Sequence, residues 1–133
     1  MDLFKGKTVL VTGAGRAVLS DGRCGSIGYG IATAFAKEGA NLVITGRNLS
    51  KLEGAKKELE EKYHVSVLIL QADVSENNNN EAMVKNVIEK TIEKFGRIDV
   101  LINNAQASAS GVPLATQTTE QFNLAMYSGL YAA

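Results

Sequence analysis

The feature that most constrains the fold is a glycine-rich stretch at residues 7–32. It opens with the apolar run 8–11, Thr-Val-Leu-Val, whose composition is typical of a fully buried parallel strand. A helical pattern begins at Ile27, and the glycines of the stretch are Gly13, Gly15, Gly22, Gly25 and Gly28. This order predicts a phosphate-binding turn, because glycine lets the backbone approach a pyrophosphate and the helix N-terminus stabilises its charge.

Residues 17–24 make this turn longer than a compact dinucleotide-binding turn. Glycine turns also occur in α/β proteins that bind no nucleotide, so the turn alone does not establish a site. We expect the inserted residues to form a flap beside a bound nucleotide if the rest of the chain supports such a site.

The composition indicates one globular domain and excludes several classes of function. The chain has 133 residues, of which 45% are hydrophobic, enough for a real core. Its 14 basic and 14 acidic residues give no net charge, which argues against binding to nucleic acid or a membrane surface. A single cysteine, Cys24, excludes an internal disulfide and fits a reducing cytoplasm. With no apolar run of about 18 residues and no signal-peptide pattern, we expect a cytoplasmic chain.

Strand and helix patterns alternate along the rest of the chain. Further apolar runs predict strands at residues 42–45, 65–71 and 98–102. Every connection is long enough to contain a helix, and right-handed crossovers then give parallel strands in the order 3-2-1-4 with helices on both faces. The sequence therefore predicts an α/β fold, a Rossmann-type doubly wound parallel sheet, as a single nucleotide-binding domain over residues 1–133.

Periodicity and capping signals predict the helices. Residues 27–39 form the first, and Ser50 with Glu53 has the spacing of a capping box for the second. Asn80 is expected to cap the third helix, residues 81–95. The inward face of the first helix is predicted to be Ile27, Ile31 and Phe35. That of the third is predicted to be Val84, Val87, Ile88, Thr91 and Ile92. Thr118 and Gln121 form a further capping box, for a helix that reaches the last residues.

Glycine or polar residues follow each of the four predicted strands, at Gly13, Gly46, Asp73 and Asn104. The carboxyl ends of parallel strands lie on one edge of a sheet, and ligands of doubly wound sheets bind there, at the switch point between strands 1 and 4. We therefore expect these four positions to form one site.

Four motifs occur in order along the chain: Thr-Gly-Ala-Gly-Arg at 12–16, Ser-Ile-Gly at 26–28, Ala-Asp-Val at 72–74 and Ile-Asn-Asn-Ala at 102–105. Together they resemble the short-chain dehydrogenase/reductase family, and the resemblance covers the whole chain. It implies a nicotinamide cofactor, a small-molecule alcohol or ketone substrate and no metal ligands.

The resemblance also implies which residues bind the cofactor. The positions that match the pyrophosphate turn are Gly13, Arg16, Ser26, Ile27 and Gly28. The pair placed against adenine is Asp73 and Val74, although an Asp there can also simply cap a turn. The backbone beside the nicotinamide ribose is matched by Asn104, Ala105 and Gln106, with Gln106 where the family usually has glycine.

Charge at the end of the second strand indicates the choice of cofactor. A carboxylate there would bind the ribose hydroxyls of NAD and repel a 2′-phosphate. This chain has Gly46 followed by Arg47 and Asn48, and an arginine pairs with phosphate through several N–H donors. We expect NADP, with Arg47 and Asn48 in the site and Arg16 as a second phosphate contact. The alternative is that Arg47 is only a solvated surface cation.

The catalytic residues that the resemblance implies, a serine and a Tyr-x-x-x-Lys pair, are not found. The last lysine is Lys94, so Tyr127 and Tyr131 have no lysine after them, and Gly129 stands where the family has a proton-relay asparagine. We therefore expect residues 1–133 to be an inactive cofactor-binding half, truncated before the catalytic half of an enzyme. The unpaired sheet edge that this leaves predicts self-association, whereas the parent of such a family member is expected to be a homotetramer.

Three stretches, residues 42–48, 102–111 and 127–132, are similar to the NADP-dependent hydroxysteroid dehydrogenases of the family that act on the 12α-hydroxyl of bile acids. Residues 105–111 are then expected to border the substrate. Two alternatives stay open: an enoyl-acyl-carrier-protein or 3-oxoacyl reductase-type member, and a nucleotide-binding fragment without catalysis.

Overall fold

The computed structural model describes residues 2–23, 25–73, 80–107 and 109–133. Strands and helices alternate as β1 (Thr8–Thr12), α1 (Ile27–Lys37), β2 (Asn41–Gly46), α2 (Leu49–Tyr63), β3 (Val67–Gln71), α3 (Asn80–Phe95) and β4 (Val100–Ile102). A 3₁₀ turn (Leu114–Thr116), the helix α4 (Thr119–Ala125) and a π-helical segment (Met126–Tyr131) follow. None of the helices in the described residues is long and apolar enough to span a membrane.

The four strands form one parallel sheet in the order β3-β2-β1-β4, which confirms the predicted fold and strand order. Val11 of β1 lies opposite Ile44 of β2 on one side and Ile102 of β4 on the other. Since all four strands run in the same direction, the loops at their carboxyl ends lie along one edge of the sheet.

Helices cover both faces of this sheet because side chains alternate between the faces along each strand. Val9 and Val11 point to the face that α1 and α2 cover, in a core with Leu52 and Leu59 of α2. Leu10 points to the opposite face and packs in the smaller core that α3 covers. Residues 8–11 of β1 and 42–45 of β2 are buried, which agrees with the apolar runs in the sequence.

The predicted inward face of α1 is wrong at Ile27, whose side chain is 79% exposed. The residues of α1 that are buried are Gly28, Tyr29, Ala32 and Ala36. Ile27 is the first residue of the helix, beyond the end of β1, and small residues beneath it bring the helix close to the glycine turn. Ile31 and Phe35 lie at the border of the core and are only partly buried.

The predicted start of α2 is also wrong, because Asn48 and not Ser50 is its N-cap. The Asn48 side-chain oxygen accepts a hydrogen bond from the Lys51 amide at 3.1 Å, and Ser50 lies inside the helix. The helix begins earlier than expected since an asparagine cap fits the tight exit from β2. The predicted capping box of α4, formed by Thr118 and Gln121, is confirmed.

The predicted inward face of α3 is correct at only two of its five positions. Val87 and Thr91 are buried, whereas Val84, Ile88 and Ile92 are between 37% and 45% exposed. Asn80 belongs to the helix itself and does not precede it as its cap. The apolar stripe of α3 is wider than the surface of the described sheet that it covers, which leaves one side of the stripe in contact with solvent.

Candidate functional site

A cavity of about 330 Å³ opens at the carboxyl ends of the strands. Gly13 follows β1, Gly46 ends β2, Asp73 follows β3 and Asn104 follows β4, and all four line the cavity. The structure therefore brings together the four positions that the sequence placed at one edge of the sheet.

A tight junction between the glycine turn and α1 forms the floor of this cavity. A Cβ atom on Gly28 would lie 2.2 Å from the carbonyl oxygen of Gly13 and 2.5 Å from the Asn104 side-chain nitrogen. Gly13 itself has φ +68° and lies against the backbone of Ala105. Glycine is needed at both positions, at Gly28 for the close approach and at Gly13 for its left-handed backbone as well.

The side chain of Asn104 joins the loop after β4 to the end of β1. Its amide nitrogen donates to the carbonyl oxygens of Thr12 at 2.9 Å and Gly13 at 3.1 Å. The Thr12 hydroxyl in turn accepts hydrogen bonds from the backbone amides of Asn104 and Ala105 at 3.0 Å and 2.9 Å. These bonds hold the backbone of two site loops in one arrangement, so the side chain of Asn104 stabilises the scaffold of the site.

The other end of the cavity lies between the ends of β2 and β3. The Arg47 carbonyl accepts a hydrogen bond from the Gln71 side chain at 2.9 Å, and the Gly46 carbonyl accepts one from the Ala72 amide at 2.9 Å. The Arg47 side chain is exposed at the cavity wall, and none of the acidic side chains in the described residues forms an ion pair with it. A cation without a carboxylate partner at the rim is suited to an anionic ligand.

Arg16 does not line the cavity. It lies beside α2, where its Nε donates to the carboxylate of Glu58. The hydrogen bond from Arg16 lowers the pKa of Glu58 and raises that of Arg16. Tyr29 belongs to the same cluster, and burial, followed by its hydrogen bond with Glu58, raises the tyrosine pKa to about 12.

Ser128 is a residue of the cavity wall that sequence reasoning missed. It is buried in the π-helical segment, and its hydroxyl oxygen accepts the backbone amide of Ala107 at 2.8 Å. The same hydroxyl lies 2.7 Å from the Leu124 carbonyl and 3.0 Å from the Ala107 carbonyl, either of which can accept its proton. Ser128 thereby fixes the loop after β4 against the last helix. No motif around it indicates this contact, which joins residues 21 positions apart.

The predicted cofactor-binding residues divide into those that line the cavity and those that do not. Those that line the cavity are Gly13, Ile27, Arg47, Asp73, Asn104, Ala105 and Gln106. Those outside its lining are Arg16, Ser26, Gly28 and Asn48. Ser26 caps α1 by accepting the Tyr29 amide, as Asn48 caps α2, and Val74 lies outside the described residues. Gln106 packs against Gly129, where a Cβ atom would lie 3.6 Å from the glutamine side chain.

The insertion in the glycine turn folds back on itself as a short loop. The Leu19 amide donates to the Arg23 carbonyl at 2.8 Å, and the Gly25 amide donates to the Ala17 carbonyl at 2.8 Å. Cys24, the last residue of the predicted flap, lies outside the described residues. The other residues of the insertion, 17–23, do not line the cavity. Its role as a flap stays a prediction.

Comparison with known proteins gives a consistent group of relatives. The sequence profile of the family described as Enoyl-(Acyl carrier protein) reductase matches residues 22–133. The chain is 57% identical to a 12alpha-hydroxysteroid dehydrogenase of Clostridium sp. over 132 residues, which are 99% of this chain and 48% of that protein. It is 39% identical to an NADP-dependent 3-hydroxy acid dehydrogenase of Schizosaccharomyces pombe over 127 residues, covering 93% of this chain and 41% of that protein.

Solved structures give the same result for the fold. L-sorbose reductase from Gluconobacter frateurii, complexed with NADPH and L-sorbose, matches with a TM-score of 0.81 and 31% sequence identity. The match covers 99% of this chain and 45% of that one. The chain thus spans less than half the length of each of these three proteins.

Proposed function

This chain belongs to the short-chain dehydrogenase/reductase family of oxidoreductases, which bind a nicotinamide cofactor, and we propose that it is the NADP-binding half of a longer alcohol/ketone oxidoreductase. The observation that carries this proposal is the cavity at the carboxyl ends of the strands, with Gly13 at its floor and Arg47 at its rim. A dinucleotide in a doubly wound sheet lies in this place. NADPH in the sorbose reductase complex and the name of the yeast relative support NADP over NAD.

Arg47 is the residue that we assign to the 2′-phosphate. It directly follows Gly46, which ends β2 without a carboxylate that would repel the phosphate. Arg47 lines the cavity with an exposed side chain, whose guanidinium can donate two parallel hydrogen bonds to a phosphate. Asp73, which follows β3, lies in the same wall, and we assign its carboxylate to accept a hydrogen bond from the amino group of adenine.

Calorimetric titration of the chain with NADP and NAD tests this assignment. We expect NADP to bind more tightly, and Arg47→Ala to weaken NADP by about tenfold or more while NAD stays within about twofold, since a hydrogen bond to a charged group is worth ~1.5–3 kcal/mol. Lys85→Ala is the matched control, because it removes a positive charge from α3, away from the cavity. Equal affinities for the two cofactors, unchanged by Arg47→Ala, would refute the assignment.

The substrate that we propose for the longer protein is a hydroxysteroid with a 12α-hydroxyl, such as a bile acid. The Clostridium relative, with its 57% identity over nearly the whole chain, supports this choice. The bound cofactor would supply hydride exchange between its nicotinamide and the carbinol carbon of the substrate. Gly13 and the Asn104 loop would position that cofactor, and the loop fixed by Ser128 borders the cavity beside Gln106.

We expect no turnover by residues 1–133 alone, because the serine and the Tyr-x-x-x-Lys pair that carry out proton exchange in the family are not found in this sequence. Steady-state oxidation of a 12α-hydroxy bile acid with NADP, followed by NADPH absorbance, tests both points. The longer protein should oxidise this substrate and the 133-residue chain should not. The second candidate, a reductase of acyl-carrier-protein thioesters, is favoured by the family profile and would reduce an enoyl or 3-oxoacyl thioester instead.

Self-association of the 133-residue chain is a further part of the proposal. In the described residues β4 pairs only with β1, and its Leu101 is 50% exposed next to the apolar side of α3 that contains Val84 and Ile88. An unpaired edge beside exposed apolar side chains favours contact between copies. Light scattering should show oligomers that dissociate in Ile88→Lys, and a monomer at high concentration would contradict the expectation.

A further inference from the structure

Two arginines lie near the start of α2, and their side chains have different surroundings. Arg47 directly precedes the Asn48 cap of the helix and faces the cavity. Arg16 comes from the glycine turn, and its backbone amide donates to the Lys51 carbonyl in the first turn of α2 at 2.9 Å. Its side chain then runs along α2 to Glu58, so its guanidinium is directed away from the cavity.

Two features of the described residues hold Arg16 in this position. Its Nε contacts the Glu58 carboxylate, and the two side chains are 40% and 34% exposed. Tyr29 on α1 also interacts with the Glu58 carboxylate. The carboxylate is therefore supported by two elements besides its own helix.

We propose that Glu58 competes with the 2′-phosphate of NADP for Arg16 and thereby limits the preference of this chain for NADP over NAD. The proposal rests on the proposed function, since it concerns the same cofactor site. It makes Glu58 a positioning residue that acts through Arg16 and does not touch the cofactor. Arg47, which has no such competitor in the described residues, then carries most of the discrimination.

The physical basis is that one guanidinium fork cannot serve two anions at full strength. Carboxylate and phosphate oxygens both accept charge-assisted hydrogen bonds from the same N–H donors of arginine. To reach a phosphate beside Arg47, Arg16 has to give up its contact with Glu58, and the lost contact offsets most of the gain. A neutral amide at position 58 removes the competing charge, while its similar shape keeps the packing against Tyr29.

The ratio of the affinities for NADP and NAD, measured by calorimetry on the full 133-residue chain, is the readout. Glu58→Gln should raise this ratio by about three- to tenfold, a modest effect because the groups are partly exposed to solvent. In Arg16→Ala/Glu58→Gln the rise should disappear, since the freed arginine is its cause. A loss of protein stability alone would lower the affinities for NADP and NAD equally and leave their ratio unchanged.

Glu61→Gln is the matched control, because it removes the same charge from the same groove on α2. Its ratio should stay within about twofold of the wild type, as expected for a charge that acts only through the screened field. If Glu58→Gln leaves the ratio unchanged, or the rise persists without Arg16, the competition does not exist, even though NADP binding and the Arg47 effect stand. If the wild-type chain binds neither NADP nor NAD, both this inference and the proposed function are refuted.

Discussion

Gly28→Ala tests the tight junction on which the site is built. The added Cβ would lie 2.2 Å from the Gly13 carbonyl oxygen and 2.5 Å from the Asn104 side-chain nitrogen, far inside van der Waals contact. Neither neighbour can move freely, because one is main chain and the other is held by two hydrogen bonds. The helix α1 would have to move away from the turn.

The expected change in the free energy of unfolding combines one stabilising and two destabilising contributions. Alanine gains ~0.5–1 kcal/mol over glycine inside a helix. Overpacking costs about 1–3 kcal/mol, and the upper end applies because the clash is with backbone. Displacing the Asn104 amide weakens two hydrogen bonds at ~1 kcal/mol each. The net loss is about 3–4 kcal/mol of the free energy of unfolding, a large part of the ~5–15 kcal/mol of a typical domain.

Urea denaturation at low protein concentration, followed by circular dichroism, measures this loss. With a slope of ~1–3 kcal/mol per molar urea, the midpoint of Gly28→Ala should fall by more than about 1 M. Gly54→Ala in α2 is the control, since its Cβ would meet the Arg16 side chain at an ordinary 3.6 Å, and it should be as stable as the wild type or slightly more stable. A Gly28→Ala variant as stable as Gly54→Ala would refute the reasoning about the junction.

Two further predictions concern the helix cap and the buried tyrosine. Asn48→Ala should cost about 1 kcal/mol of stability in urea denaturation, whereas Ser50→Ala should change it little; the reverse order would restore the capping box expected from the sequence. Burial and Glu58 raise the Tyr29 pKa from 10.0 to about 12, so the neutral form stabilises the fold fully below pH 10 and this contribution is lost as pH rises towards 12. Ultraviolet titration should show a tyrosine ionisation step near pH 12 that Tyr29→Phe lacks; a folded chain without that step would contradict the burial.

The strand order and the position of the site were predictable because they depend on local patterns and general rules. Apolar runs identify buried strands, and the right-handed crossover rule orders them, so Gly13, Asp73 and Asn104 had to meet at one edge. The glycine at position 28 was predictable as part of the turn, but its contact with Asn104 was not, since it joins parts of the chain separated by 76 residues.

The errors come from contacts that periodicity does not contain. Ile27 has the spacing of a core residue, yet it begins its helix beyond the sheet and is exposed. Arg16 occurs in a phosphate-binding motif, but Glu58, 42 residues later, engages its side chain. Ser128 lies in an unremarkable helical stretch and meets Ala107 only when the last helix packs on the loop after β4. In each case a tertiary contact decides the role of the side chain, and neither periodicity nor a local motif predicts that contact.

The most direct test of the central claim, that NADP occupies the cavity at the carboxyl ends of the strands, is an amide NMR titration of the 133-residue chain with NADP. We expect the largest chemical-shift changes at Gly13, Arg47, Asp73 and residues 104–107, and little change at the opposite end of the sheet, near Gly39 and Asp99. Changes centred on that opposite end, or none at saturating NADP, would contradict it.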